Sequence, residues 1–230
     1  EPRIQRKADT LLIIKSLRRR ADVRYAQPNY IRKSLALPND PQYPQQWHYP
    51  LINLPQSWDV TTGSNTVIVA VIDSGVLLNH PDLENRLTSD GYDFISDPAR
   101  SWDGDGIDPD PDDPGDGSPG RSSFHGTHVS GTIAAGTNNI IGVAGVTWST
   151  RIMPLRAIGQ GGGTDFDILQ AVRYAAGFEN DSGTLPAQKA DIINLSLGGG
   201  SFSPAAQDIF TELRAEGIII IAAAGNSASS

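Results

Sequence analysis

The chain of 230 residues contains no cysteine. Disulfide stapling is therefore excluded, and cysteine usage favours neither an oxidising nor a reducing compartment. No stretch approaches the roughly 18 consecutive apolar residues of a membrane-spanning helix, so a membrane is not an expected partner. No leader-peptide pattern opens the chain, and Glu1 does not read as a natural start. Positive charge is scarce after the first 37 residues: positions 38–230 hold 8 Lys and Arg against 23 Asp and Glu, whereas positions 1–37 hold 10 against 3. An acidic body of that kind repels phosphate, so nucleic acid is not expected despite Arg18, Arg19 and Arg20. The opposed charges suggest instead two parts that attract each other.

What is present reads as a soluble α/β protein long enough to bury a sizeable core. Residues 7–20 predict a short amphipathic helix with cations in its last turn, and Val23–Gln27 alternates like an edge strand closed by Pro28. Pro38, Pro41 and Pro44 mark residues 31–46 as a linker. From residue 66 onward, continuous apolar runs at 67–72, 152–158, 191–197 and 218–224 predict strands buried on both faces. Helices are predicted between them at Gly126–Ala135, from a Thr164 cap to about Gly177, and from Pro204 to Glu216 with Gly217 as terminator. This alternation predicts a doubly wound, mainly parallel sheet that binds ligands at the carboxyl ends of its strands, where Asp73, Ser196 and Asn226 fall.

The segment 97–120 reads as a structureless insertion. Its eight aspartates within 97–116 repel one another unless screened. Hard oxygen ligands spaced by glycine turns make Asp105, Asp108, Asp110, Asp113 and Asp116 candidate calcium ligands, in a spacing that is not an EF-hand. The alternative is a solvated surface loop.

The chemistry is read from Asp73, at the end of the apolar run Val67–Ile72, and His125, at the head of a small-residue helix. A hydroxyl is a poor nucleophile near neutral pH and needs a base, and the base needs a carboxylate to fix its tautomer and stabilise its cation. Asp73 and His125 supply those two roles in the order acid, base, nucleophile. Each alone has a structural alternative as a cap. His125 and His128 do not read as a zinc pair, because no glutamate stands between them and no third ligand is evident. Gly159–Gly163 lacks the spacing of a dinucleotide fingerprint and could be a flexible loop.

Five ordered segments, Val71–Gly75, His80–Leu83, His125–Ala135, Ile193–Gly199 and Ala222–Asn226, together resemble subtilisin-like serine endopeptidases, nearest the thermitase-like branch. The resemblance covers residues 38–230. It implies the α/β, doubly wound parallel sheet of the subtilisin type, interrupted before its C-terminal part. It also implies that Asp73 orients, that His125 is general base then acid, and that Asn226 donates its amide to the oxyanion. The family's nucleophile serine is expected beyond Ser230, which would leave residues 1–230 inactive alone. By the same resemblance Gly161, Gly162, Ser196, Leu197 and Gly198 flank an extended polypeptide substrate, and Ala223 and Ala224 line part of its primary pocket. Asp40, Asp82 and Asn139, with the carbonyls of Gly136, Ile141 and Val143, fall where the branch binds structural calcium. Residues 1–37 resemble the C-terminal part of an inhibitory propeptide, with processing expected within 31–40. A secreted enzyme, monomeric when complete, is the implied whole. The rivals are a catalytically dead subtilase-like binding module and an α/β nucleotide-binding domain.

Overall fold

The computed structural model describes residues 2–29, 37–117, 121–199 and 203–226. The chain divides into two compact units, Glu1–Leu35 and Ala36–Ser230. In the first, a helix, α1 (Pro2–Leu17), is followed by turns at Arg20–Val23. It starts and stops earlier than residues 7–20, so Arg18–Arg20 follow the helix instead of lying in its last turn. The strand expected at Val23–Gln27 does not form. A strand needs a ladder partner, and this segment is tied back instead by Arg18 Nε donating to the Ala26 carbonyl at 2.7 Å.

The linker expected at 31–46 is shorter. Residues 31–36 lie outside the described part, and from residue 38 the chain is packed: Pro38, Asp40 and Gln46 are buried. Gln46 exchanges two hydrogen bonds with the backbone of Ala144. Two short helices, α2 (His48–Leu51) and α3 (Leu54–Ser57), set Tyr49, Leu54 and Trp58 against Ala144 in a small satellite core.

The main sheet contains β1 (Ile68–Asp73), β2 (Tyr92–Asp93), β3 (Arg151–Arg156), β4 (Ile192–Leu195) and β5 (Ile219–Ala222), in spatial order β2-β3-β1-β4-β5 with every pairing parallel. Between them in sequence lie α4 (Pro98–Ser101), α5 (His125–Ala134), α6 (Asp165–Ala175) and α7 (Pro204–Ala215). The two faces of β1 show why the fold is doubly wound. Ile68, Ala70 and Ile72 join the core under α6 and α7, while Val69 and Val71 pack with Ala134 and Ile152 under α5.

Local chemistry sets the element ends. The Thr164 hydroxyl accepts from Asp167 N–H and caps α6, and Gly217, at φ +82°, turns the chain from α7 into β5. Along β5, Ile220 packs on the core, while Ile219 and Ile221 are exposed among the described residues. Among the described residues it pairs with β4 and is covered by α7.

Candidate active site

Parallel strands deliver their carboxyl ends to one edge of the sheet, and the candidate residues gather there. Asp73 ends β1, Gly161 and Gly162 follow β3, Ser196, Leu197 and Gly198 follow β4, and Ala223, Ala224 and Asn226 follow β5. Because β3 and β4 flank β1, the two glycine-containing segments lie on either side of Asp73. Asn194 Nδ2 donates to Ser196 Oγ at 2.9 Å, and Ala223 N–H donates to the Leu195 carbonyl.

Asp73 is buried, and His125 Nδ1 stands 2.8 and 3.0 Å from its two oxygens. The imidazole side chain remains 50% exposed. An ionised carboxylate accepts, so Nδ1 carries the proton and Nε2 presents a lone pair, the tautomer a general base needs. Burial pushes Asp73 above the ordinary aspartate range, opposed by its hydrogen bonds to His125 and to Ser74 N–H at 2.8 Å.

The approach of α5 to β1 depends on Gly126. A Cβ there would lie 2.1 Å from the Gly75 carbonyl oxygen and 3.1 Å from the Asp73 Cβ, so no larger residue fits without moving the helix. Gly126 N–H donates to Ser74 Oγ, whose own proton goes to Asp113. Asp113 also accepts from Ser122, and Thr127 Oγ1 accepts from Leu77 N–H. The dyad is thus held from both the turn after β1 and the aspartate loop.

A model of the subtilase family matches residues 64–230 of the chain. The chain belongs to the subtilase family. Among similar proteins, an extracellular protease of Xanthomonas campestris is 37% identical over 97% of this chain, which spans 40% of that protein's length. Thermitase of Thermoactinomyces vulgaris is 33% identical over 83% of the chain and 58% of its own length. A solved protease structure from Pseudoalteromonas arctica superposes with a TM-score of 0.77 at 42% identity, covering 83% of this chain and 60% of that one. The chain thus spans less than two thirds of the length of each of these proteins.

Two clusters bear on metal. In the first, Asp40 and Asp82 are both buried, and no lysine or arginine pairs with either among the described residues. Asp82 accepts from Asn139 Nδ2 and Val143 N–H, each at 2.9 Å, and Asp40 accepts from the N–H groups of Asn138 and Asn139. Gly136 N–H donates to the Asp82 carbonyl, and Ile141 N–H to Asn139 Oδ1. Two buried carboxylates without a paired cation supply hard oxygens of the kind that suit calcium, while Asn139 turns its amide nitrogen, not its oxygen, to Asp82.

In the second, the aspartate segment is not structureless. It contains α4, capped by the Asp97 side chain, and bridges to the sheet region through Asp93–Asp108 and Val76–Asp112. Ligand atoms of Asp103, Asp105 and Asp108 lie within 4.8 Å of one another. Asp103 was not among the expected ligands. Asp110, Asp113 and Asp116 instead accept from Asp112 N–H, from Ser74 and Ser122, and from Ser123.

Sequence reasoning also missed a buried ion network. Arg156, fully buried at the end of β3, pairs with Asp93 and Asp103 and donates to the Ser101 carbonyl. Burial pushes Asp93 up, against the opposing pull of Arg156. The available signal was a lone arginine inside the apolar run 152–158.

Proposed function

We propose that the whole protein is a secreted serine endopeptidase and that residues 38–230 carry its acid, its base and one oxyanion donor. The observation that carries this reading is the Asp73–His125 contact, with a half-exposed imidazole at the carboxyl edge of a parallel sheet. His125 Nε2 takes the proton of an attacking serine hydroxyl, and the buried Asp73 carboxylate stabilises the resulting imidazolium. The proton then passes to the leaving amine, and the acyl-enzyme is hydrolysed by the same base in reverse. Asn226, held just beyond β5, presents its side-chain amide to the oxygen that becomes negative. We assign the attacking serine to the part of the subtilase length that this chain does not span, so residues 1–230 alone should be inactive. Extended polypeptide is the substrate, received along Gly161–Gly162 and Ser196–Gly198 with Ala223 and Ala224 at the primary pocket.

Residues 1–37 act in this reading as the end of an inhibitory propeptide, and their excess positive charge complements the acidic remainder. Cleavage within 31–40 would release that segment. Calcium held by Asp40, Asp82, Asn139 and the carbonyls of Gly136, Ile141 and Val143 would stabilise the folded state by mass action. The aspartate segment could hold a second ion. Secretion is supported by the Xanthomonas relative's description as extracellular.

The test uses the full-length protein. His125→Ala should lower turnover of a denatured protein substrate on the order of 10⁴-fold or more, the scale on which subtilisin itself loses activity without a triad member. Turnover within tenfold of the parent would refute the assignment. A parent that binds peptides and never cleaves them would instead support the inactive binding module.

A further inference from the structure

The glycine segment after β3 has an anchored frame and an open middle. Gly159 and Gly162 bond to each other, Gly159 N–H to the Gly162 carbonyl at 3.3 Å and Gly162 N–H to the Gly159 carbonyl at 3.1 Å. A Cβ on Gly159 would strike the Arg100 carbonyl at 2.3 Å, and one on Gly163 would strike the Ala157 carbonyl at 2.7 Å. Gly161 and Gly162 have nothing within that reach. Their φ values of +77° and +101° are strained for any residue with a side chain. Among the described residues, neither the N–H nor the carbonyl of Gly161 has a hydrogen-bond partner, which leaves it free to pair with an extended peptide.

A run of glycines holds no shape through its own side chains, so ordering it is costly unless another group fixes it. Arg100 does this. Its Nη2 donates to the Gly162 carbonyl at 2.7 Å and its Nε to the Gln160 carbonyl at 3.2 Å, while its own carbonyl accepts from Gln160 N–H at 2.9 Å. The anchor is itself held: α4 is capped by Asp97, and Arg156 grips the Ser101 carbonyl and Asp103 on either side of the chain turn that follows. Arg156 is in turn the strand partner of Asp73.

We infer that Arg100 is a positioning residue for substrate: it fixes the Gln160 and Gly162 carbonyls so that the Gly161 backbone is preset to pair with an extended peptide. The function of the aspartate segment includes carrying this brace. The inference rests on the proposed reading of Gly161 and Gly162 as a wall of the substrate path.

The experiment measures kcat and KM of the full-length protein and its Arg100→Gln and Arg100→Lys variants on peptide amides lengthened one residue at a time. Arg100→Gln should lower kcat/KM about 10- to 100-fold on substrates long enough to reach the strap, the penalty of losing preset geometry. The shortest substrates should change by less than about twofold, because they make no contact with the strap. Arg100→Lys, which keeps the charge and one donor, should fall between parent and Arg100→Gln. Equal losses at every length, or no loss at any length, would overturn the inference. If Arg100→Gln does not fold, the length dependence of Arg100→Lys decides alone. A parent that cleaves no peptide of any length would instead remove the endopeptidase reading, and this inference with it.

Discussion

Replacing Gly126 with alanine tests how the dyad is assembled. The added Cβ would sit 2.1 Å from the Gly75 carbonyl oxygen, and since real Cβ atoms do not come within 3.0 Å, something must move by about an ångström. Neither side yields easily. Gly75 is itself wedged against the carbonyls of Pro111 and Asp112, at 2.8 and 2.9 Å from where its own Cβ would be. The movement therefore falls on the head of α5, which carries His125. Adding an ångström to the 2.8 Å contact between Nδ1 and Asp73 breaks that hydrogen bond. The expected cost is about 1–3 kcal/mol of stability from overpacking. Turnover should fall on the order of 10²-fold from misplacement of the base. Denaturant unfolding and kcat of full-length Gly126→Ala measure the two effects. Unchanged stability together with unchanged kcat would show that Gly126 does not set the approach of α5 to β1.

Three further outcomes follow from buried charge. Asp73→Asn should abolish turnover while losing no stability at neutral pH; because the folded-state pKa of Asp73 is raised, the parent loses stability relative to this variant as pH rises from the ordinary aspartate range through that raised value, and melts showing the opposite trend would contradict it. Arg156→Ala strands Asp93 and Asp103 without their cation and should cost about 3–5 kcal/mol in denaturant unfolding; a cost below about 1 kcal/mol would mean the network is not closed as described. Removing calcium with a chelator should lower the melting temperature of the parent and barely alter that of Asp82→Ala, and equal shifts in both would count against the Asp40–Asp82 loop as the binding place.

Much of the frame was legible because buried parallel strands leave continuous apolar runs: β4 and β5 lie within those expected, and β1 and β3 overlap theirs, each extending one residue beyond it. Helix caps were legible for a similar reason: Thr164 and Gly217 act on their immediate neighbours. What stayed hidden depends on distant partners. The two-residue β2 has no periodicity to read, and the order of the aspartate segment comes from Arg156, 53 positions beyond Asp103. At the site, Asp73 and His125 were found by their order and surroundings. The Ser74, Asp113 and Ser122 bonds that hold them required coordinates.

The most direct test of the central claim is covalent labelling of the full-length protein by a fluorophosphonate, which phosphonylates a serine only when a neighbouring base activates it. Intact-mass measurement should show one adduct on the parent, located on a serine, and none over the same interval on His125→Ala. An active parent that takes no label, or equal labelling of parent and variant, would contradict the assignment of Asp73 and His125 as the groups that activate the nucleophile.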